Sequence, residues 1–168
     1  IKFIMKKISI LLPHKEKFSQ KESGSASIWV KDFFKLSQFK KEISVHGANV
    51  NSKNAAIKNI YNNIHIGGLK YQSKTNIYLE KFKKYITKEQ PKIIEIHNRP
   101  NYLINIHENF PNINYTLIVH NDPLHLKGST SVRDRIRLLN ICSQIYFVSR
   151  WVEEKFFTSI EKNFYSNF

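Results

Sequence analysis

Two apolar runs, each delivering a His-Asn pair and then a proline, constrain this chain more than any other feature: IIEIHNRP at residues 93–100 and YTLIVHNDP at 115–123. Short runs rich in Ile, Val and Leu read as strands covered on both faces, and such strands belong to parallel sheets. Each run passes abruptly from apolar to polar. The first ends in His97, Asn98 and Arg99, the second in His120, Asn121 and Asp122. A buried strand holds its backbone rigidly, so side chains at its end are well placed while still reaching solvent.

The rest of the chain supplies the helices that parallel strands need. Residues 7–12 (KISILL) read as a first strand, followed by a polar loop containing Gly24. Residues 26–38 carry Ile28, Trp29, Val30, Phe33, Phe34 and Leu36 at helical spacing, and ISVHG at 43–47 is a second strand. Residues 48–72, rich in Asn and Lys, permit one short strand around Ile60, Ile64 and Ile66 before Gly67-Gly68. A helix over 73–88 follows, with Pro91 closing it. Further helices are predicted over 101–109, over 131–140 behind a Ser131/Asp134 capping pattern, and over 151–160, with QIYFVS at 144–149 as the last strand.

This alternation predicts an α/β fold: a Rossmann-like, doubly wound, mostly parallel sheet with helices on both faces, as a single domain over residues 1–168. The usual winding places the first strand beside 93–97, with 115–119 next along. Ligands of such sheets bind outside the carboxyl ends of the strands. That edge would carry His97 to Arg99 and His120 to Asp122, facing the Gly24 loop.

Charge narrows the partners. The formal net charge is +14, from 22 Lys and 5 Arg against 13 acidic residues. Lys, Asn and Ile together make up 62 residues, as an A+T-rich coding sequence would produce. Nucleic-acid sites favour the planar fork of Arg and interleaved aromatic platforms, so scattered lysines argue against a nucleic-acid partner. Peripheral contact with an anionic membrane surface, or with phosphorylated ligands, suits them equally well. The lone Cys142 fits a reducing, cytoplasmic compartment. No apolar run approaches the ~20 residues of a membrane span. The opening IKFIMKKISILLP leads into Pro13 and a charged HKEK run, so it reads as a strand rather than a signal segment.

Several residue groups bear chemistry. ESGSAS at 22–27 sets Gly24 and Ser25 just before a helix, where backbone N–H groups can hold a phosphate, although an ordinary capped helix has the same pattern. It has neither the Gly-Lys-Ser/Thr of a P-loop nor G-x-G-x-x-G. His97 and His120 suit proton transfer or the donation of hydrogen bonds to a sugar hydroxyl or phosphate; a strand-end His is also often just tied to nearby backbone. Arg133, Arg135 and Arg137 form either a grip for an anionic acceptor or a solvated face. His97, His107, His120 and His125 have no metal-ligand spacing, so no metal site is expected. Cys142, in an apolar passage, is not expected to act as a nucleophile.

Taken together, IIEIHNRPNYLINIHENFP, LIVHNDP, GSTSVRDRIRLL and FVSRWVEEKF resemble the amino-terminal half of family-4-type glycosyltransferases, in particular the branch of spore coat protein SA. The resemblance covers roughly residues 90–160; earlier residues match only in layout, with Gly24-Ser25 where the family often carries Gly-Gly. It implies one half of a GT-B fold, the acceptor-side domain of an enzyme that transfers a sugar with retention of configuration and without a required metal or other cofactor. The donor is a nucleotide-sugar, and the acceptor would be a cell-surface polysaccharide or a lipid-linked glycan.

By position, His120 corresponds to the strand-end His near the transferred sugar. His97 corresponds to a polar position lining the cleft, and Gly24 to the loop nearing the donor diphosphate. Asn98, Arg99, Asn121, Asp122 and Arg133 complete the expected substrate-binding set. The family's donor domain has no counterpart here, so the chain on its own is expected to turn over no nucleotide-sugar and to self-associate through its uncovered face. The alternative is a non-catalytic Rossmann-like module that binds a phosphorylated or anionic ligand.

Overall fold

A computed structural model of the protein describes residues 7–48, 50–67 and 72–161. Among these, six strands and five α-helices alternate, and every strand pairing is parallel, in the order β3-β2-β1-β4-β5-β6. The strands are β1 (Ile8–Leu11), β2 (Ile43–Gly47), β3 (Tyr61–Asn63), β4 (Ile93–His97), β5 (Asn114–Val119) and β6 (Gln144–Phe147). The helices are α1 (Ser25–Leu36), α2 (Lys74–Glu89), α3 (Pro100–His107), α4 (Val132–Ile141) and α5 (Arg150–Phe157). This is the expected α/β, Rossmann-like class, with a sheet that is parallel throughout rather than mostly so. Of the Gly67-Gly68 pair, Gly68 lies outside the described residues. The chain divides into two compact units, residues 1–92 and 93–168.

In the first unit, β1 pairs with β2 across α1, and β2 pairs with β3. Ile10, Leu12, Val30, Ile43, Val45 and Phe18 form its core, with Trp29, Phe33 and Phe34 of α1 packed against it. Helical spacing of those apolar residues is what turns one face of α1 inward. Ser73 caps α2, its Oγ accepting from the Asn76 N–H at 3.1 Å. Gln90 ends that helix in the left-handed region (φ 46°), just ahead of Pro91. The Tyr78 hydroxyl of α2 donates to the carbonyl oxygens of Leu12 (2.8 Å) and His46 (3.1 Å), tying the ends of β1 and β2 together.

In the second unit, α3 links β4 to β5 and α4 links β5 to β6. Ile94, Ile96, Leu103, Ile106, Tyr115, Leu117, Ile118 and Val119 are buried. Pro100 occupies the first turn of α3, where its missing N–H leaves no bond unmade. Ser131 and Ser149 cap α4 and α5, accepting from the N–H groups of Asp134 and Val152.

Gly128 shows how tightly the loop after β5 sits on α3. Its φ is +92°, and a Cβ there would lie 2.6 Å from the Asn101 nitrogen and 2.9 Å from its Cα. The Lys127 carbonyl accepts from that same Asn101 N–H at 3.1 Å. Gly128→Ala should therefore destabilise the protein by at least the ~1–3 kcal/mol of a misplaced dihedral, since the clash is with backbone that has no rotamer to escape into. A urea midpoint equal to that of the parent protein would refute this.

Candidate functional site

The site builds from the end of β4. Side chains two residues apart on a strand share a face, so Glu95 and His97 lie side by side. Both are buried: His97 is 0% exposed and Glu95 7%. A Glu95 oxygen (Oε1) lies 2.7 Å from His97 Nε2. The other ring nitrogen, His97 Nδ1, is 3.0 Å from Nε2 of His120, the residue that follows β5. The two imidazoles stack with centroids 5.3 Å apart and planes 26° from parallel. A continuous hydrogen-bonded line thus runs from a buried carboxylate, through a buried ring, to a half-buried ring. Burial, then the neighbouring His97, lowers the His120 pKa to about 4, so His120 is uncharged at neutral pH.

His97 was expected to line a cleft. It has no exposed surface, and its two ring nitrogens face Glu95 and His120. The structure thereby shifts attention to Glu95, which sequence reasoning treated only as one residue of a buried strand. An acidic residue two places before a His on that strand was the available signal.

Asn98 also works from behind. It takes the left-handed conformation (φ 55°), which Asn tolerates better than most residues. Its N–H donates to the Ile118 carbonyl at 2.8 Å. Its side-chain Oδ1 accepts from the backbone N–H groups of His120 (3.3 Å) and Asn121 (3.2 Å). One side chain thus clamps the exits of both strands and fixes where His120 begins. Arg99 donates from Nη1 to the Asn98 carbonyl at 2.8 Å. Asp122 caps the short 3₁₀ turn Pro123–His125, its Oδ1 accepting from the Leu124 N–H at 2.9 Å. Asn121 is exposed. His97 through Arg99 and His120 through Asp122 are therefore brought together, as expected for the ends of paired parallel strands.

Other expected residues fall elsewhere. Arg133 lines a surface cavity of about 680 Å³ with Ser131, Asp134, Ile136, Arg137 and Asn140, and no residue of the His97–Asp122 cluster lines it. Arg135 is a strut rather than an anion grip. It is 2% exposed, and its guanidinium donates to the carbonyls of Ser129 (3.1 Å), Thr130 (3.1 Å) and Thr158 (2.7 Å). Arg137 pairs with Glu108 at 3.0 Å on the surface. His107 packs its ring edge-on to Tyr115, and His125 is exposed beside Asp122. Cys142 is buried, which pushes its thiol up to about 12, far from the reactive thiolate form.

In the first unit, Gly24 is the N-cap of α1 and Ser25 its first residue. The space beside them is taken. The Glu16 carboxylate accepts from the Ser27 N–H at 3.0 Å, and a Cβ on Gly24 would lie 2.5 Å from the same oxygen. An internal carboxylate thus occupies the place where a phosphate was expected, and glycine at position 24 leaves room for it. No helix among the described residues is long and apolar enough to cross a membrane.

Comparison of the chain with models of known protein families, and with curated proteins, found no match. The fold and the strand-end cluster are accordingly what bear on function.

Proposed function

We propose that this chain is the acceptor-side domain of a retaining glycosyltransferase, which passes a sugar from a nucleotide-sugar to a cell-surface polysaccharide or lipid-linked acceptor, with His120 against a sugar hydroxyl. The observation that carries this reading is the Glu95–His97–His120 line at the carboxyl ends of two adjacent parallel strands. Strand ends of this kind are where open α/β sheets place ligands. The motif resemblance over residues 90–160 adds a sugar as the ligand class. An uncharged imidazole suits a neutral hydroxyl, whereas a phosphate recruits cations or free backbone N–H groups.

The rival, a module for phosphorylated ligands, is weakened by Glu16, which fills the anion position at α1. In the proposed enzyme the donor diphosphate is held mainly by a second domain.

Amide NMR on the full 168-residue chain tests this. Neutral mono- and oligosaccharides should shift the resonances of Asn98, His120 and Asn121. Inorganic phosphate should leave Ser25 to Ser27 unmoved. Phosphate shifting Ser25 to Ser27 while no glycan perturbs His120 would transfer the assignment to the anion-binding module.

A further inference from the structure

We propose that Glu95 and His97 act as a two-step positioning relay that fixes which nitrogen of His120 carries its proton, making His120 a hydrogen-bond acceptor toward its ligand. The argument is one of donor and acceptor bookkeeping. An ionised carboxylate only accepts, so the 2.7 Å contact requires His97 to present Nε2–H to Glu95. The relay takes His97 as the uncharged ring, whose single N–H, spent on Glu95, leaves Nδ1 as a lone pair. The 3.0 Å contact between the rings must then use a proton on His120 Nε2. Neutral His120 is left with a bare Nδ1, and a group meeting that nitrogen has to donate.

The consequence is selectivity by donor capacity. A sugar hydroxyl carries a proton to give. An ionised phosphate oxygen or a carbonyl has none, and would face Nδ1 lone pair to lone pair. The geometry thus reverses the expectation that His120 donates to its ligand. Neither Glu95 nor His97 touches the ligand, since both are buried, and their influence passes through the stacked rings. The choice of a sugar hydroxyl rests on the function proposed above; the proton placement does not.

Long-range ¹H–¹⁵N correlation of the histidine rings in the full chain at pH 7 reads the tautomers directly. The expected pattern is pyrrole-type Nε2 and pyridine-type Nδ1 for both His97 and His120. Glu95→Gln removes the obligatory acceptor, and its amide can instead donate to His97, so the His120 Nδ1 resonance should lose its pyridine-type position. A purely structural Glu95 would lower stability and leave that resonance where it was. A protonated Nδ1 on His120 in the parent protein would overturn the relay without any variant, so a poorly folding Glu95→Gln does not protect it. The readout needs no sugar. Glycans failing to bind while the tautomers hold would sink the glycosyltransferase reading alone, and the opposite result would sink the relay alone.

Discussion

Lowering the pH from 7 to 4 should destabilise the protein by about 3 kcal/mol through His46 alone, the last-but-one residue of β2. His46 is 1% exposed, and burial lowers its pKa from 6.5 to about 3. The ring packs between Tyr85 (centroids 4.0 Å apart) and Phe82 (5.0 Å). Its Nε2 meets the Ser44 hydroxyl at 3.1 Å, which in turn contacts Ser9 and Tyr85. The folded state resists protonation of His46 and the unfolded state does not. Between pH 6.5 and 3 the unfolded chain therefore binds more protons, and stability falls as pH falls, by about 1.4 kcal/mol per unit. Above 6.5 the stabilisation is fully present.

His120 contributes with the same sign below 6.5, but solvent screening of its half-exposed ring makes its share smaller. His46→Gln retains a partner for Ser44 and cannot titrate in this range. It should be less stable than the parent at pH 7 and close much of that gap by pH 4. Denaturant curves for the two proteins that stay a constant distance apart from pH 7 to pH 4 would show that His46 is not the source.

The largest functional effect should come from His120→Ala. In a transfer-competent form that includes a donor-binding domain, turnover should fall roughly 10²–10³-fold, the scale of losing one preorganised polar contact in the transition state. Stability should fall by no more than the ~1–3 kcal/mol of taking its His120 partner from the buried His97 ring, because Asn98 holds the backbone at His120 and Asn121 through N–H groups that survive the substitution. A side chain that served only packing would give the reverse, a clear fall in melting temperature with near-normal kcat in the folded fraction. Measuring both on one preparation separates the cases, and retained kcat would remove His120 from the site.

How far the sequence could be read depended on whether the relevant partner was local. Strand ends were legible because Pro100 and Pro123 follow the His-Asn pairs, and helix starts because Ser73, Ser131 and Ser149 cap within three residues. Pairing of β4 with β5 followed from the winding rules. Glu95 was passed over because a lone acid inside an apolar run resembles an interruption, although its spacing to His97 places both on one face. Arg135 was grouped with its charged neighbours when its real company is Leu138 and Leu139. Positions i, i+3 and i+4 form the buried stripe of α4, and a guanidinium can sit in that stripe only if carbonyls receive it. Those carbonyls lie as far away as Thr158, beyond any local pattern. His46 was hidden in ISVHG for the same reason, since its neighbours Phe82 and Tyr85 come from α2.

Glu16 was the least legible, eleven residues ahead of the N–H it receives. Its position also bears on how the protein meets anions in the cell. The start of α1 carries a resident tenant of the same sign as any phosphate that approaches. A newcomer has to evict that carboxylate, or be repelled by it, to reach the Ser27 N–H. The favourable end of the helix dipole is thereby committed to folding and withheld from ligands. In a chain of net charge +14, such an occupied end keeps small anions from competing at a place where backbone N–H groups would have held them.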